Sequence, residues 1–316
     1  MQRVPSISRT PKLPLSKRFA FHMRRYWQLY LLILPAILFS LIFCYQHMYG
    51  AQIAFRNFKI KKGILGSDWV GMKHFIRFFE SANFFTLIRN TLGINLCSLI
   101  FGFPMPIVLA LLLNETRSAK FRRAVQMVTY MPHFISTVAI CGLTLLFLDI
   151  DSGMINILLS RLGVPHKDYM TDPHAFWAIY VITDIWQNVG WNSIIYVAAL
   201  TSVDVEVIEA SYIDGVNRIQ KIWYIDIPYI LPTVIVLFIL QAGRMMNIGF
   251  EKILLLQNAL NMSASDVIST YVYRLGIENA QYSYTTAIGL FNSIVNVVIL
   301  IAVNKLADRL SSTSLW

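Results

Sequence analysis

Charge is scarce in this chain: 14% of its 316 residues are Asp, Glu, Lys or Arg, and only 17 are acidic. An average soluble domain carries about 25%, so an ordinary solvated domain is disfavoured at the outset. Cysteine is scarcer still. Cys44, Cys97 and Cys141 each lie inside an apolar run, with no CxxC or His-paired spacing, so neither a disulfide framework nor a metal site is expected. There is no GxxxxGK[ST] run, hence no phosphate loop and no expectation that the chain hydrolyses ATP itself. His22, His47, His74, His133, His166 and His174 form neither HExxH nor a His/Asp cluster, which leaves no constellation for catalysis at the membrane. Repeats of solenoid length and low-complexity tracts are also missing.

What is abundant is hydrophobicity. Apolar residues make up 56% of the chain and the mean hydropathy is +0.55. Segments 26–49, 84–113, 125–148, 174–200, 231–250 and 285–306 are each long enough to cross about 30 Å of hydrocarbon as a helix. The expected fold class is therefore all-α: a polytopic membrane protein with six transmembrane helices.

The net charge of +10 is read as a topology signal. The basic residues flank apolar runs and are not interleaved with aromatics as in a nucleic-acid interface. Arg3, Arg9, Lys12, Lys17, Arg18, Arg24 and Arg25 precede Trp27 with no acidic residue among them. This places the N-terminus in the cytoplasm, and an even number of spans returns the C-terminus there. On that topology 15 Lys/Arg are cytoplasmic and 10 external; the basic external segment 50–83 runs against the trend. The run from Tyr26 to Tyr49 is too long for a signal peptide, and "LIFC" at 41–44 lacks the small residues of a lipoprotein cleavage box, so it is read as a retained first helix. Stretch 1–25 reads as a basic arm. Pro104 and Pro106 in the second run and Pro132 in the third should bend their helices and face protein or a cavity. Val267, Ile268, Tyr271, Val272 and Leu275 recur at helical spacing, which predicts a short amphipathic helix on the outer surface. Arg89 is expected to snorkel.

Between the fourth and fifth runs lies "EASYIDGVNRIQKIWYIDIP", on the cytoplasmic side. Asp204 is an expected N-cap and Glu206 suits a helix N-terminus. Gly215, after Ile213 and Asp214, interrupts the apolar period where two short helices would fold back on each other. Pro228 and Pro232 would mark a hinge into the fifth span. The physical reading is a surface helix-turn-helix able to pass motion to the spans; an interfacial element resting on lipid headgroups is the alternative.

The spacing Glu209, Ala210, Ser211, three residues, Gly215, nine residues, Ile225, one residue, Ile227, Pro228 resembles the Glu-Ala-Ala…Gly…Ile-x-Leu-Pro pattern of permease subunits of binding-protein-dependent ABC importers. It departs in Ser211 for Ala and Ile227 for Leu. The resemblance extends through "FFTLIRNTLGINL", "YMPHFIS" and "WQNVGWNSIIYVAAL"; "NIGFEKILLL" and "DVISTYVYRLGI" are similar to the lipoprotein/polysaccharide permeases of the carbohydrate-uptake branch. It implies a type I ABC importer permease fold with its core over 84–308, the coupling loop at 201–230, the first helix and an external segment at 26–83, and a tail at 309–316. It further implies that Glu209, Ala210, Ser211, Asp214, Gly215, Ile225 and Pro228 form the contact with a cytoplasmic ATPase, Glu209 meeting a basic residue there. The implied partners are a second, homologous permease, two ATP-binding subunits holding ATP and Mg, an extracellular solute-binding lipoprotein and an oligosaccharide. Membrane lipid surrounds the chain, nucleic acid is not a partner, and this chain itself binds no cofactor. The implied location is a bacterial plasma membrane, Gram-positive by the same resemblance.

Polar residues within spans are functional candidates. Asp184, Gln187, Asn188 and Asn192 form one face of the fourth run, with Trp186 and Trp191 nearby. Gln241, Arg244 and Glu251 follow a stripe in the fifth, adjoined by Asn247, and Gly289, Asn292, Ser293 and Asn296 a stripe in the sixth. Together these would line a sugar path whose amides and carboxylates suit a neutral oligosaccharide, with Arg244 and the basic external segment leaving room for an acidic one. For the sixth-run residues helix-helix bonding serves equally well, Trp186 and Trp191 suit a lipid interface, and an Asp184–Arg244 ion pair would account for both charges without a ligand. An ion-coupled carrier using Asp184, Arg244 and Glu251 is the rival reading, although no pair of matching broken helices is visible.

Overall fold

The computed structural model describes residues 25–311; the basic arm before Arg25 and the end of the tail lie outside them. Trp27–Phe55, Phe84–Asn114, Arg218–Ala242 and the helix starting at Tyr282 are long and apolar enough to cross a membrane. Ala119–Phe134 and Thr137–Leu148 act as a fifth candidate, bent by 102°. The remaining expected span is Pro173–Leu200, 28 residues long. At 1.5 Å per residue it reaches about 42 Å, but its polar face lowers its hydropathy below that of a lipid-facing helix. All six expected runs thus map onto helix, and the last extends over Tyr282–Ser311. An antiparallel hairpin, Arg56–Lys59 with Gly63–Trp69, is added to the all-α plan.

Proline and polar groups account for the irregularities. The second span carries a π-helical stretch, Ser98–Gly102, immediately before Pro104 and Pro106, so the missing donors are absorbed by a local change of register. Pro132 lies in the 3-10 turn Met131–Phe134, where the third run breaks sharply. Pro228 and Pro232 behave differently from expectation: Arg218–Ala242 is one helical unit that runs through both. The irregularity sits upstream, in the π-helical stretch Ile222–Asp226, which directly precedes Pro228, so its missing donor is met by a local change of register, as before Pro104 in the second span. The fifth span also ends at Ala242, short of the expected 250, and resumes as Phe250–Leu256.

The chain packs around Pro173–Leu200. Ile94, Cys141, Phe176, Tyr180, Ile253 and Val267 form one buried cluster, and Ala110, Tyr196, Leu200 and Ile230 form another near the end of that helix that leads into the 201–230 loop. The expected helix over 267–275 exists as Ile268–Tyr273, but it is buried rather than superficial: Ile268 and Tyr271 pack with Leu87, Met246 and Ile288. Arg89 does not simply snorkel. Its guanidinium donates to the Ser263 carbonyl at 2.8 Å and to Asn90 Oδ1 at 3.0 Å. Part of the puzzling basic charge in 50–83 is structural, because Arg56 donates to the Leu65 and Ser67 carbonyls and Arg77 lies 4.2 Å over the Tyr284 ring. From Trp27 to Phe39 no residue is buried by the rest of the chain.

Candidate functional site

The 201–230 loop is a helix-turn-helix whose turn is built by backbone geometry. Val205–Ile213 ends in a Schellman motif: Val216 N–H donates to Ser211 O at 3.0 Å and Gly215 N–H to Tyr212 O at 3.2 Å. Gly215 holds φ at 72°, the left-handed conformation such a cap needs. The following helix opens on a capping box between Asn217 and Gln220. Asp204 occupies the N-cap position, yet its side chain makes no capping bond. Ser211 is buried, its hydroxyl donating to Ile208 O at 2.7 Å, so a small residue is required where the motif has one. Glu209, Ala210, Asp214 and Pro228 are exposed, and Ile225 is half-buried. Glu209 has no side-chain partner among the described residues. Beside it Tyr212 is 62% and Ile213 87% exposed, an apolar surface left uncovered by this chain.

The polar face of Pro173–Leu200 opens on a cavity of about 800 Å³. Asp184, Asn188, Trp191, Asn192, Gln241 and Arg244 line it, with Phe103 and Pro106 of the second span. Trp186, Gln187, Asn247 and Glu251 are not part of its wall. Gln187 donates instead to Ile135 O, Asn247 Oδ1 accepts from Asn292, and Trp186 and Glu251 face outward. The stripe expected across 241–251 is cut because the helix stops at Ala242 and restarts at Phe250. Asn296 bonds Met246 N–H and Ser293 bonds Gly289 O, so these last-span residues act as helix-helix and intrahelical bonds.

No Asp184–Arg244 ion pair forms. Asp184 is held by Lys252 Nζ at 3.5 Å and Asn188 Nδ2 at 3.1 Å. Asn188 Oδ1 meets His133 Nδ1 at 3.0 Å, and the His133 ring stacks on Trp191, 4.5 Å between centroids. Arg244 is exposed and has no side-chain partner among the described residues. The sequence reading missed Lys252 and His133. Lys252 is buried beside apolar neighbours and resembles a flank of an apolar run, and His133 carries no motif. Only the general rule that a charge within a span needs a partner points to Lys252.

The model of the binding-protein-dependent transport system inner membrane component matches residues 102–312. The chain is 39% identical to Protein LplB of Bacillus subtilis (strain 168) over 318 aligned residues, covering 100% of both. It is 40% identical over 300 residues to the polygalacturonan/rhamnogalacturonan transport system permease protein YteP of the same organism, covering 95% of this chain and 94% of the relative. Among solved structures it is similar to a chain of a bacterial ABC transporter involved in the import of the acidic polysaccharide alginate, with a TM-score of 0.85, 40% identity and coverage of 93% and 99%. A chain of the bacterial alginate transporter in complex with an alginate pentasaccharide-bound periplasmic protein gives a TM-score of 0.86 at 40% identity, covering 94% and 100%. On sequence and on fold alike, the chain belongs to the family of binding-protein-dependent transport system inner membrane components.

Proposed function

We propose that this chain is the membrane-spanning permease of an ATP-driven importer that carries an acidic oligosaccharide into a bacterial cell. The observation that carries the importer reading is the exposed helix-turn-helix at 205–221, which presents unpartnered Glu209 and bare Tyr212 and Ile213 on the side expected to face the cytoplasm. It fits a groove on an ATPase better than a lipid surface, because a carboxylate at its centre favours a basic protein partner over anionic headgroups. On this reading ATP and Mg reside on two partner ATPase subunits, a second permease completes the pathway, and a solute-binding protein delivers the sugar from outside. Both termini are cytoplasmic, and the Bacillus relatives favour a Gram-positive plasma membrane.

The acidic class rests on charge in the cavity together with the relatives' substrates. Asp184 faces Lys252 Nζ at 3.5 Å, whereas Arg244 has no side-chain partner among the described residues and is the cation that lines the cavity. A guanidinium is a bidentate match for a uronate carboxylate, while Asn192, Gln241 and Trp191 offer amide bonds and a stacking face to sugar rings. The test is uptake by the assembled transporter in proteoliposomes. Arg244→Gln should raise KM for a uronate oligosaccharide by roughly 10- to 100-fold, the worth of a hydrogen bond to a charged group, and leave a neutral oligosaccharide unaffected. An unchanged KM for the acidic sugar, or faster uptake of the neutral one by the native protein, would assign a neutral substrate.

A further inference from the structure

Lys221 is buried at the cytoplasmic end of the fifth span, its side chain 6% exposed. Its Nζ lies 2.6 Å from Glu115 Oε1 and 3.1 Å from Asp226 Oδ2. Glu115 caps the last turn of the second span, and the neighbouring Asn114 amide also approaches Asp226, at 3.4 Å. One ammonium thus serves two carboxylates at the point where the helix-turn-helix meets two spans.

The π-helical stretch Ile222–Asp226 makes this possible. In a regular α-helix residues five apart point about 140° away from each other. A π turn closes on the fifth residue and brings Asp226 beside Lys221. Asp226 is fully buried, and its second oxygen, Oδ1, has no hydrogen-bond partner among the described residues. Buried charges without full pairing are costly and call for an explanation.

We infer that Lys221 is a releasable clasp between the cytoplasmic loop and the second span, and so a positioning residue for coupling. This rests on the reading of that loop as the ATPase contact. Held on Glu115, Lys221 makes a push on the 205–213 helix reach the second and fifth spans together. Drawn away from Glu115, it keeps Asp226, whose carboxylate travels on the same helix, so release never strands a buried ammonium. The excess carboxylate is what makes the inter-span contact reversible.

The test uses the assembled transporter in proteoliposomes, measuring ATP hydrolysed and oligosaccharide imported in the same vesicles. Glu115→Gln removes the inter-span charge and leaves the Lys221–Asp226 pair, so folding is preserved. Expected is ATP hydrolysis within about twofold of native, with the ATP spent per imported molecule raised about tenfold, an ordinary coupling scale. The exchange Lys221→Glu with Glu115→Lys restores the same three charges and should recover part of the ratio. A native ratio in Glu115→Gln would overturn the clasp. Loss of import and hydrolysis in equal proportion would also overturn it, as a structural role only. Gly215→Val separates the two readings: if it fails to disturb import, the loop assignment is at fault; if it blocks import while Glu115→Gln does not, only the clasp is.

Discussion

At the residue scale, Gly215 shows how one backbone angle can specify a site. Its φ of 72° is required by the Schellman cap, yet a Cβ there would meet nothing within 4 Å. The constraint is conformational, not steric crowding by neighbours. Asn, which tolerates the left-handed region, should therefore be nearly harmless, whereas Val should strain the turn by about 1–2 kcal/mol or more. Expected is import close to native for Gly215→Asn and a large loss for Gly215→Val, at equal amounts of membrane-inserted protein. Equal uptake by the two variants would contradict the backbone explanation. His74 is a second case. A carbonyl can only accept, so its Nε2 donates to Arg56 O at 3.2 Å, leaving Nδ1 buried and unbonded. Burial, reinforced by Arg77 and Lys73, pushes the imidazole below its usual range, against the opposing pull of the Arg56 carbonyl. A depressed folded value means the contribution is fully present above the ordinary pKa of about 6.5 and is lost as pH falls through the lower, folded value. Amide protection over 56–79, after correction for the intrinsic pH dependence of exchange, should fall as pH drops through that range in the native chain and stay flat in His74→Gln.

At the scale of elements, the six apolar runs were legible because about 20 consecutive apolar residues leave a signal that little else produces. Two of their breaks were signalled by proline: the 102° bend follows Pro132 and the π-helical stretch Ser98–Gly102 precedes Pro104. The others were not, because hydropathy averages over a window, so the stop at Ala242 and the π-helical stretch Ile222–Asp226 vanish within runs of similar composition. Proline alone misled in the fifth span, because the π-helical stretch Ile222–Asp226 changes the register just before Pro228 and the helix runs on through Pro232 without a hinge. Close packing was also hidden. A Cβ on Gly190 would fall 2.1 Å from the Thr129 carbonyl oxygen, so the broken third span rests directly on the fourth. Gly190→Ala must move backbone and should destabilise the purified protein by about 1–3 kcal/mol, read as a lowered Tm. An unaltered Tm would mean that the two elements separate freely.

At the scale of the whole molecule, the family and the helix-turn-helix of the 201–230 loop could be read from the chain, since they rest on a long, fixed spacing of residues around Gly215. The cavity was half legible. A helical face drawn through Asp184, Asn188 and Asn192 runs along one unbroken helix and holds, but the one drawn through Arg244 and Glu251 assumed a helix that ends at Ala242. Charge pairing was the least legible level. Which cation neutralises Asp184, or which carboxylates hold Lys221, depends on helices 68 and 106 residues apart in sequence, and no local pattern encodes it. On the proposed function this amounts to a division of labour: Lys252 pairs with Asp184 and would leave Arg244 to face the cargo, while Lys221 and Gly215 shape the loop that would receive force.

The central claim is that force enters through that loop from ATP hydrolysis. The most direct measurement is oligosaccharide accumulation by proteoliposomes holding this chain, its partner permease and the ATPase, with and without ATP and with an imposed proton or sodium gradient. The account predicts accumulation that requires ATP, ignores the gradient and disappears in Gly215→Val. Gradient-driven accumulation without ATP, equal in native and Gly215→Val protein, would contradict it and make Asp184, Arg244 and Glu251 the coupling groups of an ion-driven carrier.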